Sequence, residues 1–444
     1  MLAQLTTILT LVSGLADYQV LQRDANGSAR AAITGTASAA GRLSCRIGEG
    51  AWQNIAELRP GDWRAELPPI AAGGPYMVRL RLEDAAGKTR AEIERREILV
   101  GDLWVLAGQS NMVGRAIIDE SHTSHPLVRA FLQVGGWHVA RDPLHEQRNG
   151  PKGTRLGAGL GLTFGKEMVR ETGVPVGLIP CAQGGTSLEQ WSPALASQGA
   201  ASLYGNLLER VRLAGGRIAG VLWYQGENDS PPETAPTYGS RFEAFVPALR
   251  RDLGRPDLPF YYAQLSRYAN PPAPYYENWN KIQEAQRLAE SRIPGVRMVA
   301  TIDLELGDPI HLGRPALERL GRRFARAVAG HGGPRVRDVY WASASEIRVR
   351  LEGAIGKIEL GGPRVFGFEA TSAGVPVALY YRAAADPSTG EIVLSVGSSR
   401  SLPEDLDLWY GHGLNPICNV VDGEDLALPA FGPWRIPPAP LAKP

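Results

Sequence analysis

Four short stretches hold residue types that can carry acyl-transfer chemistry: GQSNM at 108–112, CAQGGTS at 181–187, WYQGEND at 223–229 and GDPIHLG at 307–313. A serine hydroxyl is a poor nucleophile near neutral pH. It needs an imidazole within hydrogen-bond reach, and the imidazole needs an acceptor that fixes its tautomer and supports the imidazolium. Asp308 and His311 supply both in one short loop, and Ser110, on a tight turn entering a helix, is the candidate nucleophile. There its own amide and the helix N-terminus would face a developing oxyanion, although an N-cap serine suits the same place. The Gly184-Gly185 pair lets a backbone amide approach a substrate oxygen, or simply makes a turn. Asn228, and after it Gln225, would offer a side-chain N–H to the same oxyanion, the other reading being a turn asparagine. The remaining histidines are read as structural or solvated: His122, His125, His138 and His145 in a long loop after the first helix, and His331 and His412 beyond the α/β core.

Chemistry at these positions requires elements that bring them to one edge. In an open parallel sheet, ligands bind outside the carboxyl ends of the strands, so the residues just after each strand are the informative ones. The first three motifs follow apolar runs at 103–107, 176–180 and 220–224, and runs at 260–265 and 297–302 precede the fourth. Between them lie stretches with helical periodicity, such as Leu160, Phe164, Met168 and Val169 before Thr172-Gly173. Others lie at 203–213, 242–253, 282–289 and 317–328. Alternation of this kind predicts a parallel α/β domain over residues 101–333. Short β-type runs at 31–36, 43–47, 76–82 and 93–100, broken by Gly, Pro, Asn and Asp, predict an N-terminal antiparallel β-sandwich over residues 1–100. Runs at 347–351, 377–381 and 392–396 predict a C-terminal β region over 334–435, followed by a Pro-rich tail at 436–444.

Composition removes other classes of function. A chain of 444 residues suggests two or three domains, and 44% hydrophobic with 21% charged residues is a globular composition. Lys and Arg number 47 against 46 Asp and Glu, so the net charge of +1 gives no bulk field toward nucleic acid or an anionic membrane, and neither is expected as a partner. Cys45, Cys181 and Cys418 are far apart without CxxC spacing, which argues against a disulfide framework and a cysteine-rich metal site. HExxH, GxxxxGK[ST] and a strand-linked GxGxxG are missing, so no metal and no organic cofactor are expected. The apolar N-terminal run at 2–16 ends in small residues like a cleavage site, yet carries no Lys or Arg before Arg23, and 11–20 reads equally well as an opening strand. A cytoplasmic location is favoured, with a secreted or periplasmic one left open.

Taken in order, GQSNM, GGTS, WYQGEND and DPIH resemble an SGNH-type serine esterase, in particular the sialate O-acetylesterase group, with the acetylxylan esterases next to it. VLQRD at 20–24, GGPY at 73–76, the stretch from Tyr410-Gly411 to Asn419 and Leu428-Pro429 are similar to the β regions flanking the catalytic domain in that group. The resemblance implies an SGNH-hydrolase-like parallel sheet sandwiched by helices and flanked by N- and C-terminal antiparallel β-sandwich regions. It implies Ser110 as nucleophile, His311 as general base and then acid, and Asp308 as the orienting carboxylate. The oxyanion hole would use the Ser110 amide, an amide of the Gly184-Gly185 pair and the Asn228 side chain. Many relatives differ after the Gly-Glu pair, which leaves Gln225 or Glu227, with Gln109, as other polar contributors. Trp191 would wall a sugar or acyl site, or else be a buried tryptophan. The implied substrate is an acetylated sugar or glycan. An anionic sialate would want an arginine, for which Arg115, Arg155 and Arg267 are the candidates. Two alternatives stand beside this: an acetylxylan or general short-chain carboxylesterase, and a non-catalytic carbohydrate-binding protein. The latter is disfavoured because Ser110, His311 and Asp308 are all present.

Overall fold

The computed structural model describes residues 8–438 apart from 120–121, 133, 135, 147–155, 272–275 and 398–401. Its centre is a sheet built from β1 (Thr89–Gly108), β2 (Val128–Leu132), β3 (Gly136–Val139), β4 (Val176–Pro180), β5 (Gly220–Tyr224), β6 (Phe260–Ala263) and β7 (Val296–Val299). The spatial order is β3-β2-β4-β1-β5-β6-β7, and every pairing is parallel except β2 with β3. Strands β4 and β5 are buried along their whole length, as expected of strands covered on both faces. The covering comes from α2 (Gly161–Thr172), α3 (Leu203–Leu213), α4 (Ala235–Asp252), α5 (Tyr276–Arg292) and α6 (Arg314–Val328), and α1 (Ser110–Val113) is a single turn after β1. Helices α2 and α6 approach so closely that a Cβ on Gly321 would stand 2.6 Å from the Leu160 carbonyl oxygen.

The boundary expected at residue 100 is not a linker. The runs at 93–100 and 103–107 are one strand, β1, whose first half pairs with Gly73–Glu83 in the N-terminal region and whose second half pairs with β4 and β5. Gly101 and Asp102 read as a break in the sequence, but each has a reason to sit in a strand. A Cβ at Gly101 would stand 1.9 Å from the Pro175 carbonyl oxygen, so glycine admits a close backbone approach. Asp102 is paired with Arg23 at 2.8 Å. The rest of the N-terminal region stacks a three-stranded sheet (Leu9–Ser13, Ala32–Ala37 and Gly61–Glu66) on strands continuous with β1, around Ile33, Leu43, Trp63 and Leu80. The segment expected as one strand at 11–20 is thus divided between Leu9–Ser13 and Val20–Gln22.

The C-terminal region is two four-stranded antiparallel sheets, Arg335–Ser343, Glu346–Glu352, Ile392–Val396 and Tyr380–Ala385 in one, Val375–Val377, Phe368–Ser372, Leu406–Tyr410 and Phe431–Arg435 in the other. Their shared core includes Ile347, Leu394, Phe368, Leu408 and, from the central domain, Ile302. The start of the expected tail is docked: Ile436 is buried and its amide donates to the Leu406 carbonyl at 2.9 Å, while Trp341 donates to the Pro437 carbonyl at 2.8 Å. Residues 439–444 of that tail lie outside the described residues. Two strands, β2 and β3, occupy part of what the sequence presents as a long loop. Arg129 interrupts the apolar pattern of β2, yet it is buried with its guanidinium 2.9 Å from Glu97. Among the described residues, no helix is long and apolar enough to cross a membrane.

Candidate active site

Strand β1 sits between β4 on one side and β5 on the other, so the connections leaving this part of the sheet diverge at its carboxyl end and open a crevice there. The turn out of β1 is made by Gly108 at φ +126°, where a Cβ would stand 2.1 Å from the Tyr224 carbonyl oxygen of β5. Only glycine tolerates both the angle and the approach. The Gln109 amide then donates to that carbonyl at 2.8 Å and the Gln183 amide donates to the Gly108 carbonyl at 3.0 Å, so the loops after β1, β4 and β5 are tied at one level. Ser110 follows as the first residue of α1, 6% exposed.

The opposite wall is the loop between β7 and α6. It is drawn into a tight curl by the Gly307 amide donating to the His311 carbonyl at 2.8 Å and the Gly313 amide donating to the Glu305 carbonyl at 3.0 Å. Within it, Asp308 Oδ1 accepts from the amides of Ile310 at 2.9 Å and His311 at 2.8 Å, while Oδ2 lies 2.6 Å from His311 Nδ1. His311 Nε2 lies 2.9 Å from Ser110 Oγ. Burial opposes ionisation of Asp308, but the Ile310 amide, the imidazole and the His311 amide outweigh it and hold the carboxyl below its ordinary value. An ionised carboxylate only accepts, so Nδ1 carries the imidazole proton and Nε2 offers a lone pair to the serine hydroxyl. Two residues separated by some two hundred positions thereby share one hydrogen bond.

The glycine pair after β4 lies on the same rim, with Gly185 at φ +70° and exposed. Among the described residues, the amides of Ser110, Gly184 and Gly185 donate to no other group of the protein. A cavity of about 360 Å³ borders the pair, lined with Gln183, Gln190, Gln198 and Asn206 as well as the glycines. Asn228, half-buried in the single turn Glu227–Asp229, meets the Gln109 side-chain amide at 3.0 Å.

Gln109, Gln225 and Glu227, considered as substrate or other polar contributors, are buried beneath the rim, and of the two readings of Trp191 the structure shows the buried one. Trp191 donates to Thr186 Oγ1 at 3.0 Å and packs edge-on against Trp223 at 5.2 Å, so its indole completes the core rather than walling a site. Gln225 donates to the Thr186 carbonyl at 3.1 Å and to Asp229, which in turn accepts from the Leu188 amide at 2.8 Å. With its nitrogen facing acceptors, Gln109 donates to the Thr186 carbonyl at 3.0 Å and to Glu227 Oε2 at 3.2 Å. Polar residues after a strand are therefore ambiguous: Gln109, Gln225 and Glu227 hold the turns together.

Of the arginines considered for an anionic sugar, Arg267 is engaged by Glu305 at 3.2 Å and by the Leu304 carbonyl at 3.1 Å. Burial lowers the Arg115 guanidinium, with the nearby Asp308 charge opposing the effect. Arg155 lies outside the described residues. His145, read from the sequence as structural, is buried against the Leu106 carbonyl, and burial pushes its imidazole down to about 4. Asn111 was not singled out by the sequence. Its side chain accepts from the Leu312 amide at 3.0 Å and donates to Glu227 Oε1 at 2.8 Å and to the Ile310 carbonyl at 3.3 Å. The available signal was its place inside GQSNM, beside the serine.

A helix-covered parallel sheet whose rim joins a serine, a carboxylate and an imidazole in this chain order is the architecture of the SGNH-type hydrolases. Over 96% of this chain and 100% of that one, the structure superposes on a carbohydrate acetylesterase from Xanthomonas citri with a TM-score of 0.71 at 23% identity, a likeness of fold. Residues 100–330, just over half of the chain, match the family described as carbohydrate esterase, sialic acid-specific acetylesterase, and the chain belongs to that family. It is thus by family a carboxylic ester hydrolase. A probable carbohydrate esterase from Arabidopsis thaliana is 29% identical over 264 residues, which cover 54% of this chain and 95% of that protein. The sialate O-acetylesterase of Homo sapiens is 25% identical over 228 residues, 44% of this chain, and the match spans less than half of the human protein, 43%.

Proposed function

We propose that this protein removes O-acetyl groups from acetylated carbohydrates, in the manner of a sialate O-acetylesterase, through an acyl-serine intermediate on Ser110. The observation that supports the reading most directly is the 2.9 Å contact of His311 Nε2 with Ser110 Oγ, backed by Asp308 at 2.6 Å on the other ring nitrogen. In the first half-reaction His311 takes the hydroxyl proton as Ser110 Oγ attacks the ester carbonyl. The tetrahedral oxyanion is held by the Ser110 amide, an amide of the Gly184-Gly185 pair and an N–H of the Asn228 side chain. Collapse of this intermediate expels the sugar oxygen, which receives its proton from His311. Water activated by the same imidazole then attacks the acyl-serine and releases acetate. The identity of the sugar rests on the family description and on the names of the relatives.

The test is acetate release from a panel of O-acetylated sialate, xylose and hexose esters by the parent protein and Ser110→Ala. The expected result is release by the parent from at least one ester and a loss of about three orders of magnitude or more in the variant. Undiminished hydrolysis by Ser110→Ala would sink the reading. p-Nitrophenyl esters of increasing chain length add the acyl limit, a steep loss beyond acetate being the expected outcome.

A further inference from the structure

The mechanism leaves a buried carboxylate without a role. Glu227 is 2% exposed and sits directly under the site, in the turn after β5. A carboxyl group taken out of water is costly to ionise, and burial pushes Glu227 up to about 7, with the Asn111 hydrogen bond as the main opposing effect. Such a group is an expensive way to fill space. What it does geometrically is reached through Asn111, itself 2% exposed. The Asn111 amide nitrogen donates to Glu227 Oε1 at 2.8 Å and to the Ile310 carbonyl at 3.3 Å, and its oxygen accepts from the Leu312 amide at 3.0 Å. Asn111 thus holds the backbone on both sides of His311. A primary amide can be turned end for end at little steric cost, and only one orientation puts the oxygen against the Leu312 N–H. An ionised carboxylate accepts and cannot donate, so it selects that orientation.

Resting on the esterase reading above, we propose that Glu227 is a positioning residue for His311: it orients the Asn111 amide, and Asn111 fixes the loop that presents the imidazole to Ser110. Protonated, Glu227 can donate to the asparagine oxygen and so supports the reversed amide, which sets two N–H groups against each other at Leu312. The arrangement is therefore competent when Glu227 is ionised. The groups facing Glu227 are Asp229 in its own turn, Tyr224 at the end of β5, Tyr238 on α4, Gln109 and Asn111. Burial lifts both phenols, which stay neutral as Glu227 titrates, and it also raises Asp229, the like charge beside it.

The experiment compares parent, Glu227→Gln, Asn111→Ala and Ser110→Ala with p-nitrophenyl acetate from pH 4 to pH 9, alongside thermal unfolding. For Glu227→Gln the expected result is a kcat lower by about 10- to 100-fold at pH 8 with KM within about threefold, since transition-state geometry is lost and ground-state binding is not. On the acid side, log kcat of the parent should fall with a slope steeper than one until the 10- to 100-fold contribution of Glu227 is lost and then meet the profile of Glu227→Gln, which falls with a slope of one throughout. Stability should move the other way. The folded state raises Glu227 from 4.5 to about 7, so its ionisation opposes folding as pH rises through that window and throughout the range above it. Glu227→Gln should therefore unfold at a temperature equal to or above the parent's at pH 8, the difference closing by pH 4. Asn111→Ala cuts the link without touching the carboxylate and should show the same loss of kcat and the same single slope, which covers the case in which the first variant does not fold. Kinetics within twofold of the parent, an unchanged acid slope, or a loss of kcat that tracks a loss of stability would overturn the proposal. If Ser110→Ala is as active as the parent, the esterase reading itself fails. If it is inactive while Glu227→Gln and Asn111→Ala behave like the parent, only the positioning role fails.

Discussion

Asp308 has two tasks in one carboxylate: Oδ1 ties the loop backbone through the Ile310 and His311 amides, and Oδ2 holds Nδ1 of the imidazole. Asp308→Asn keeps the shape but can donate to Nδ1, which favours the tautomer with its proton on Nε2, where the serine hydroxyl needs an acceptor. The expected outcome is a fall in kcat of about three to four orders of magnitude with little change in KM, measured with p-nitrophenyl acetate at pH 8. The carboxyl is held below its ordinary value, so its contribution to folding is present above the unfolded-state value and fades as pH falls through the folded one. The meeting of these residues was legible in the sequence because Ser110 and His311 have chemistry that few other side chains supply. Trp191 was harder to read. An aromatic just after a glycine pair suits a sugar platform and a core equally, and the partners that decide, Thr186 and Trp223, are a matter of tertiary packing.

At the scale of elements, the site depends on how close the ends of β1 and β5 come. Gly108→Ala would place a methyl group 2.1 Å from the Tyr224 carbonyl oxygen at a φ of +126°, so backbone must move in a strand buried on both faces. The expected cost is about 3 kcal/mol or more, read as a lowered denaturant midpoint, with esterase activity lost at lower denaturant than in the parent. An unchanged midpoint would show that the close approach does not set the turn. Strands β4 and β5 were plain in the sequence because continuous apolar runs are what doubly covered strands require. Strand β2 was not, since Arg129 near its start conceals the strand by its polarity and is paired with a distant glutamate, Glu97. Likewise Gly101-Asp102 carries the residue types of a turn, and only the approach of Pro175 and the pairing with Arg23 explain why the chain runs straight through.

For the whole molecule, the flanking β regions are part of the scaffold around the site. Gln264, just beyond β6, exchanges two hydrogen bonds with the Ala430 backbone at 2.8 and 2.9 Å, and Ile302 packs into the C-terminal core just before the His311 loop begins. Beside them, fully buried Arg323 of α6 makes a bidentate pair with Asp303 at 2.7 Å for each contact and donates to the Asp425 carbonyl at 2.6 Å. Asp303→Asn would strand that guanidinium with half its compensation, at an expected cost of about 3–5 kcal/mol in a denaturant titration. Equal stability of variant and parent would mean that the Asp303 carboxylate is not what holds Arg323 at its contact with Asp425 of the C-terminal region. Domain texture was visible in the residue pattern, but such joints were not, because the partners lie over a hundred positions apart.

The central claim is that Ser110 is an activated nucleophile because His311 and Asp308 stand behind it. Reaction with a fluorophosphonate, followed by intact mass and peptide mapping, reads this directly. The account predicts a single adduct on Ser110 in the parent, none in Ser110→Ala, and labelling slowed by about a hundredfold or more in His311→Ala. An adduct on another residue, or equal labelling rates in parent and His311→Ala, would contradict it.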